Sequence, residues 1–442
     1  MKHGTIILAL LTHMVSAAGA FAALPPVETT TLKNGLRVVL APDPDAHAVD
    51  VAVWYATGSR LEKPGRSGIT HLFERLMFHS TEGAGAGDYR RLLQAEGATV
   101  NTMTTPDYTS FFATLPTGAV ELALRLEAER MSKLHITAAD VETERAFVLS
   151  ERRVFLGTNP IGRGVEKLYA TAFPGHGYGR PVIGIEADLA NITLDDALDY
   201  YRDRYAPGNA VLTVVGCFEP RATLAAIRQQ FEPLPRRGAA AGRLDPPPPP
   251  RPRATERGPG RAPLLITGWR APSSSNASSA ALELLAHVLS SGASGPIGGS
   301  RFAQTRVGFD ARRDASIFYT VAVARTASDS SLAEQDMVQA IETLATTPIP
   351  AEDLDRARNE LQLKWLIDQQ TVRGRAHALG EALLVDGDTR ALERRLDAIR
   401  NLTPADIMDV AQKVFRPDSR TVVWMMPSGT ATPTTPDGGE AR

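Results

Sequence analysis

Three residues in the first hundred have types and a spacing that suggest chemistry. They are a histidine, a glutamate three residues later, and an arginine directly after the glutamate. They are His71, Glu74 and Arg75, in the segment GITHLFERLMFHST. One metallopeptidase signature reads His-x-x-Glu-His, in which two imidazoles on one helical face bind zinc and the glutamate polarises a water molecule. Because arginine stands at the last position here, three interpretations are open: a zinc site, the remnant of one, or an ordinary amphipathic helix.

Two further glutamates are candidates for the same site. Glu144 and Glu151 lie seven residues apart, so they share one face of a predicted helix. The guanidinium of Arg75 has no lone pair, so it cannot ligate zinc, and it adds a positive charge where the metal would sit. We expect Arg75 to pair with a nearby glutamate and so to tie two helices together. His79 lies roughly 12 Å along the helix from His71, and we expect it at the solvent-facing end.

The composition is that of a soluble globular protein. The chain has 442 residues, 43% of them hydrophobic, and a net charge of −2. This length predicts two to four domains, and the charge balance gives no indication of nucleic-acid binding. Cys217 is the only cysteine, so no intramolecular disulfide is possible.

The N-terminus has the pattern of a secretory signal peptide. A basic start at Lys2 is followed by an apolar stretch and by the A-x-A motif Ala20–Ala22. The alternative is a membrane anchor, but the apolar stretch is shorter than the ~20 residues that a spanning helix needs. We therefore predict cleavage of residues 1–22, export to the periplasm, and no membrane span after cleavage.

The chain is predicted to consist of two related halves. A Pro-rich linker over residues 236–263 separates an N-terminal domain, residues 23–235, from a C-terminal domain, residues 264–428, and residues 429–442 form a tail predicted to be disordered. The segments that begin at Ile192 and Leu402 align without a gap at an offset of 210, each with a threonine and an acidic residue spaced as in a capping box. This agreement indicates a duplication.

Strand and helix patterns are clustered within each half. TTLKNGLRVVL predicts a hairpin with a two-residue type I′ turn at Asn34-Gly35, and Thr70 is a candidate cap for the helix that carries His71. The clustering predicts an α+β fold in which each half has a mostly antiparallel sheet flanked by helices.

On several of these segments the chain resembles the insulinase/pitrilysin family of zinc peptidases, in its processing-peptidase-like branch. The resemblance rests on GITHLFERLMFHST, on GATVNTMTTPDYTSFFATLP, on ERAFVLSERR and on the block that begins GYGRPVIGIEADL. These blocks fall in the family's order. The second half matches more loosely, through ALELLAHVLSSGASGPIGGSRF and the repeat, so the resemblance covers nearly the whole mature chain. The resemblance implies two homologous halves that together form a clamshell.

The resemblance also implies roles for the candidate residues. His71 is at the first zinc-ligand position, Glu151 at the distal ligand position, Glu74 at the general-base position and Glu144 at the supporting acidic position. Arg75 replaces the second ligand, so the zinc is expected to be lost or weakly held.

The family also uses residues outside the zinc helix. Asn101 and Thr104 fall where its members bind substrate backbone along an edge strand. Active members carry an Arg and a Tyr, seven residues apart, in the second half. The nearest alignment here, 304–311, lacks both, although Arg306, Arg312 and Arg313 are close by in the sequence.

We therefore predict a non-catalytic or impaired family member of the cell envelope. It would bind peptide or unfolded polypeptide, or pair as a hetero- or homodimer with a homologue that has the complete motif. An active zinc metalloendopeptidase and an envelope scaffold protein are the alternatives.

Overall fold

The structure is a computed structural model that describes residues 26–238, 242–291, 297, 299–326 and 330–428. The predicted signal peptide, residues 1–22, and the predicted tail, residues 429–442, lie outside the described residues. Within the described ranges, no helix combines the length and the apolarity needed to span a bilayer.

The first half contains a 6-stranded sheet in the order β1-β2-β6-β3-β5-β4. Its pairings are antiparallel except for β2 with β6. The strands are β1 (Glu28–Thr31), β2 (Arg37–Pro42), β3 (Val49–Tyr55), β4 (Thr99–Thr104), β5 (Thr109–Leu115) and β6 (Ala210–Gly216). The helices are α1 (Ile69–Leu76), α2 (Asp88–Ala95), α3 (Val120–Ser132), α4 (Ala138–Thr158), α5 (Pro160–Ala172), α6 (Glu186–Ala190), α7 (Leu194–Arg204) and α8 (Pro220–Phe231).

The second half contains a 5-stranded sheet in the order β7-β11-β8-β10-β9. The strands are β7 (Arg253–Gly258), β8 (Leu264–Ala271), β9 (Phe302–Asp310), β10 (Ser316–Ala324) and β11 (Arg420–Pro427). The helices are α9 (Ser278–Ser290), α10 (Ser330–Glu342), α11 (Ala351–Gln369), α12 (Val372–Glu381), α13 (Ala391–Asn401) and α14 (Pro404–Val414), and a π-helical turn, Ala382–Asp386, follows α12. The predicted α+β class with mostly antiparallel sheets is confirmed.

The two sheets repeat one topology. Strands β2, β6, β3, β5 and β4 correspond in order to β7, β11, β8, β10 and β9. Helices α7 and α14 begin 210 residues apart, and Thr193 and Thr403 each form a capping box at the helix start. The duplication predicted from the sequence therefore extends through the sheets of both halves.

The predicted linker, residues 236–263, is too long. Strand β7 lies inside it and pairs in parallel with β11, so it belongs to the second sheet. The sequence of β7, RATERG, is polar and half of its residues are exposed, which is typical of an edge strand but also of a linker. The proline run before it is held in place, because Arg270 donates hydrogen bonds to the carbonyl oxygens of Pro247 and Pro248.

The predicted turn of the first hairpin also differs from the structure. Strands β1 and β2 pair as predicted, but the amide of Leu32 bonds the carbonyl of Leu36, which closes a longer loop. Only Gly35 has a positive φ, 94°, whereas a type I′ turn needs positive φ at both central residues. The Asn34 amide instead donates to the carbonyl oxygen of Phe231, which ties the loop to the end of α8.

Each half places one helix on the sheet of the other. Helix α5 packs against β8 and β11, and α12 packs against β3 and β6. Close approach requires glycine at both contacts. A Cβ at Gly164 would lie 2.3 Å from the Ile266 side chain, and one at Gly380 would lie 2.3 Å from the Trp54 indole. This exchange of helices interlocks the halves.

The α12 contact leads to a stability prediction. Gly380→Ala is expected to lower the free energy of unfolding by about 1–3 kcal/mol, because the added methyl overlaps the buried Trp54 ring. The matched control is Gly157→Ala in α4, where the new methyl meets no atom of the described residues within 4 Å. That variant is expected to gain up to about 1 kcal/mol from helix propensity alone. Urea unfolding distinguishes the two, and equal stabilisation of both variants would contradict the packing argument.

Candidate functional site

Helix α1, which carries His71, is capped by the side-chain carboxylate of Glu62, a residue outside the helix. Gly68 precedes the helix with φ 92°, and a Cβ there would lie 2.8 Å from the backbone of Gly184. The amides of Gly68 and Thr70 donate to the Glu62 carboxylate at 2.9 and 3.0 Å. The predicted capping by Thr70 is therefore wrong. Thr70 lies inside the helix, and its hydroxyl is 2.6 Å from the Tyr200 hydroxyl.

Burial raises the pKa of Glu62 to about 7, although the helix amides that bond its carboxylate act in the opposite direction. Its ordinary pKa is about 4.3. Between these values the folded chain holds a proton that the unfolded chain has released. The contribution of Glu62 to stability is therefore complete below about pH 4 and is lost as the pH rises towards 7. Burial also raises the pKa of Asp50 to about 7, so Asp50 changes the stability with pH in the same direction.

Glu62→Gln is therefore expected to reduce the loss of stability between pH 4.5 and 7.5 by roughly 3 kcal/mol, since glutamine does not titrate. Urea unfolding of both proteins at several pH values in this range measures the effect. Glu121→Gln, on an exposed part of α3, is the control and should keep the wild-type profile. If Glu62→Gln also keeps that profile, Glu62 does not titrate in this range.

His71 lies between two glutamates. Its Nδ1 is 3.6 Å from Glu74 Oε2, and its Nε2 is 3.3 Å from Glu151 Oε2. Burial lowers the pKa of His71, but hydrogen bonds to Glu74 and Glu151 and their charges outweigh burial and raise it overall. Both imidazole nitrogens thus face carboxylates that favour the protonated ring, whereas a zinc ligand must be neutral.

Glu74 is held as a carboxylate. Burial raises its pKa, but a hydrogen bond from His71, the Thr104 hydroxyl and the charges of His71 and Arg75 together lower it. A lowered pKa makes Glu74 a weaker base than a glutamate poised near neutral pH.

Arg75 connects α1 to α4. Its Nε lies 2.5 Å from Glu144 Oε2, and its guanidinium lies 3.6 Å from the centroid of the Phe147 ring. The sequence predicted a glutamate partner for Arg75, and the structure identifies it as Glu144. The charged pair and the cation–π contact join the two helices at the position where the signature has its second histidine.

His79 takes part in the same contact, which sequence reasoning missed. Its Nε2 is 3.0 Å from Glu144 Oε1, and its Nδ1 is 3.2 Å from Asp140 Oδ1. Helix α1 ends at Leu76, so His79 lies in the segment after the helix. The side chain is only 17% exposed, so the predicted solvent-facing position is wrong. Glu144 therefore bridges Arg75 and His79.

These residues do not fit a zinc site of the usual kind. Only His71 and Glu151 occupy ligand positions with donor atoms, whereas structural and catalytic zinc sites use at least three protein ligands. Among the described residues, no group of three or more His, Cys, Asp or Glu side chains is placed to hold a metal ion. The second-ligand position carries the guanidinium of Arg75, which repels a cation.

A cavity of about 510 Å³ opens beside His71 and Glu74. Thr104, at the end of the edge strand β4, lines it. Asn101 does not line it. It lies exposed on the same strand, and its Oδ1 accepts a hydrogen bond from the Thr102 amide at 2.8 Å. The structure thus brings Thr104 to the cavity and places Asn101 farther along the strand.

The second half contributes Arg312 to this cavity. Its guanidinium lies 4.0 Å from the Tyr169 ring and 2.7 Å from Asp310 Oδ2. Burial lowers the pKa of Arg312, but Tyr169 and Asp310 outweigh burial and raise it. Arg306, by contrast, is exposed. Of the arginines near the aligned segment, the described contacts place Arg312 next to the candidate site.

The fold and the site define a class of protein: a duplicated two-sheet chain that resembles a zinc peptidase and has an incomplete ligand set. Two family models match the sequence. Insulinase (Peptidase family M16) matches residues 37–186, and Peptidase M16 inactive domain matches residues 191–361. The chain belongs to the insulinase (M16) family.

Its relatives include a zinc protease and a subunit of the cytochrome b-c1 complex. The zinc protease PqqE of Helicobacter pylori is 26% identical over 95% of this chain and 97% of its own length. Cytochrome b-c1 complex subunit 1 of Caenorhabditis elegans is 31% identical, but over only 46% of this chain and 42% of its own length. A crystal structure of a protease from Helicobacter pylori has a TM-score of 0.83 and 26% identity, covering 91% of this chain and 100% of that one.

Proposed function

We propose that this chain is a non-catalytic or catalytically impaired M16 protein of the cell envelope that binds extended or unfolded polypeptide and pairs with an active homologue. The observation that carries the proposal is the Arg75–Glu144 contact. In the proposed roles, His71 and Glu151 are the remaining ligand positions, Glu74 is the general-base position and Glu144 is the supporting acid. The arginine turns Glu144 into an ion-pair partner and joins α1 to α4 without a metal.

Peptide binding is supported by the edge of the first sheet. Strand β4 pairs only with β5 among the described strands, so its other edge is open to an added strand. The Thr102 amide donates a hydrogen bond to the side-chain oxygen of Asn101. The carbonyl of an incoming peptide would displace this oxygen. In this proposal Asn101 and Thr104 contact substrate backbone, and the cavity beside Thr104 takes a side chain.

The proposal of a partner rests on the incomplete site. A chain without its own zinc chemistry contributes to proteolysis most simply as one of two subunits, and one relative is named as a subunit of a larger complex. The envelope location rests on the N-terminal signal-peptide pattern alone.

An active zinc endopeptidase is the second candidate, because His71, Glu74 and Glu151 come together at one contact. Metal analysis and peptide cleavage distinguish the two candidates. We expect the zinc content of the purified full chain to stay at background. We also expect no chelator-sensitive cleavage of a quenched fluorescent peptide. About one zinc per chain with chelator-sensitive cleavage would overturn the proposed function.

Binding is tested separately with reduced, carboxymethylated lactalbumin, a permanently unfolded probe. The wild-type chain is expected to bind it, and Thr102→Pro is expected to bind it about tenfold more weakly, because proline removes an edge amide. Circular dichroism of Thr102→Pro confirms that it folds. If the wild-type chain holds neither metal nor unfolded probe, the scaffold alternative replaces the proposal.

A further inference from the structure

A second cavity, of about 330 Å³, lies between the halves and shares no lining residue with the cavity beside His71. Its walls come from the serine-rich start of α9, the end of α12, the π-helical turn and α13. The first half contributes Tyr108 and Asp107, and the Asp107 carboxylate is paired with Arg60 at 3.0 Å. Its volume is within the range of small-molecule sites, which often lie between domains. The π-helical turn is a second indication, because such turns are frequent at functional sites.

One wall suits an anion. Helix α9 is 13 residues long and begins at this cavity. Its first two amides, of Ser278 and Ser279, already donate to Asn276, so its attraction for an anion comes from the helix dipole. Ser279, in the first turn, lines the cavity and is only 4% exposed. Its hydroxyl has no hydrogen-bond partner among the described residues, and the same is true of the Ser274 hydroxyl on the preceding loop. Buried hydroxyl groups without partners are costly, so these two point to an absent acceptor.

The opposite wall suits a cation. Glu381 precedes the π-helical turn, Asp386 is its last residue, and both line the cavity. Glu381 Oε1 accepts a hydrogen bond from the Tyr108 hydroxyl at 3.2 Å. Burial raises the pKa of Asp386 and the charge of Glu381 adds to this, although Arg395, Arg394 and Arg313 lower it. An ammonium between the two lining carboxylates would offset their mutual repulsion. The lining guanidinium groups of Arg394 and Arg395 are already paired, with Asp388 and Glu283 respectively.

The remaining lining is small and apolar. It includes Ala280, Ala311, Ala378, Ala382, Val385 and Leu392. The cavity thus offers an anion-binding end, a cation-binding end and an aliphatic surface between them.

We propose that this cavity binds a small zwitterion of the size of an amino acid or dipeptide. Its carboxylate lies at the N-terminus of α9 near Ser279, and its ammonium lies between Glu381 and Asp386. A sugar or a simple anion would use only one of the two walls. The inference does not rest on the proposed function, because it uses none of the residues around His71.

Isothermal titration calorimetry of the full chain with the dipeptide Ala-Leu tests the proposal. Acetyl-Ala-Leu lacks the ammonium, and Ala-Leu-amide lacks the carboxylate. We expect Ala-Leu to bind and each blocked peptide to bind at least about tenfold more weakly, because each loses a charge-assisted contact. Ser279→Ala and Asp386→Asn are each expected to weaken Ala-Leu binding by about tenfold. Ser290→Ala, at the other end of α9, is the matched control and should bind like the wild type.

Three outcomes would overturn the proposal. The first is no binding of Ala-Leu at up to about 10 mM. The second is equal binding of the free and blocked peptides. The third is Ala-Leu binding that Ser279→Ala and Asp386→Asn leave unchanged but Glu74→Gln abolishes, which would place the dipeptide beside His71. Two independent variants keep the test decisive if one of them misfolds.

Discussion

Arg75→His is expected to bind zinc at least about 100-fold more tightly than the wild-type chain. The substitution removes the guanidinium and gives α1 the imidazole pair of the His-x-x-Glu-His signature, with Glu151 already 3.3 Å from His71. Loss of even an outer-shell partner of a zinc ligand costs 10–100-fold in affinity, so restoring a direct ligand should gain at least as much. Glu144 keeps its contact with His79 after Arg75 is removed.

Metal analysis after dialysis against zinc, and competition with a chromophoric chelator, measure this gain. Arg75→Gln is the control, because it removes the positive charge without adding a suitable ligand, and its zinc content should stay at background. Adding Glu151→Gln to Arg75→His should abolish the gain. If a folded Arg75→His protein also stays at background, the other ligand positions are not preserved for zinc, and the site has changed more than the Arg75 position alone.

Much of the fold follows from local sequence patterns. The capping boxes at Thr193 and Thr403 lie where the spacing predicts them, because both partners of each box lie within one helical turn. Strand β7 could not be recognised in this way. It is a short, polar strand at a sheet edge, without the apolar residues that mark a buried strand, and its partner β11 lies more than 160 residues away in the sequence. The packing of α5 and α12 on the opposite sheets also depends on contacts between segments that are far apart in the sequence.

In the candidate site, too, some contacts could be predicted from the sequence and others could not. The pairing of Arg75 with a glutamate could be predicted, because an arginine beside a cluster of carboxylates finds a partner in almost any arrangement. The capping of α1 by Glu62 could not, because the chain turns between residues 62 and 68 in a way that no local motif specifies. The position of His79 depends on where α1 ends, and the position of Arg312 depends on how the two halves are arranged. Local sequence patterns specify neither.

Contacts across the halves bear on whether the clamshell can open. Arg60 is fully buried, and its guanidinium pairs with Asp107 in the first half at 3.0 Å and with Asp314 in the second half at 2.6 Å. The Tyr178 hydroxyl donates to Asp107 and accepts from the Asp314 amide, so it closes the network. Together with α5 and α12, this network holds the two halves of one chain as a single unit.

Arg60→Met is therefore expected to lower the free energy of unfolding by about 3–5 kcal/mol, because it leaves the carboxylates of Asp107 and Asp314 buried without their cation. The control is Arg153→Met, which breaks an exposed pair with Glu186 and should cost less than about 1 kcal/mol. Urea unfolding measures both. Adding Asp314→Asn to Arg60→Met should cost less than the sum of the single changes, since the second change removes a charge that the first left unpaired. Equal effects of Arg60→Met and Arg153→Met would contradict a buried ionic connection and leave α5 and α12 as the contacts that hold the halves together.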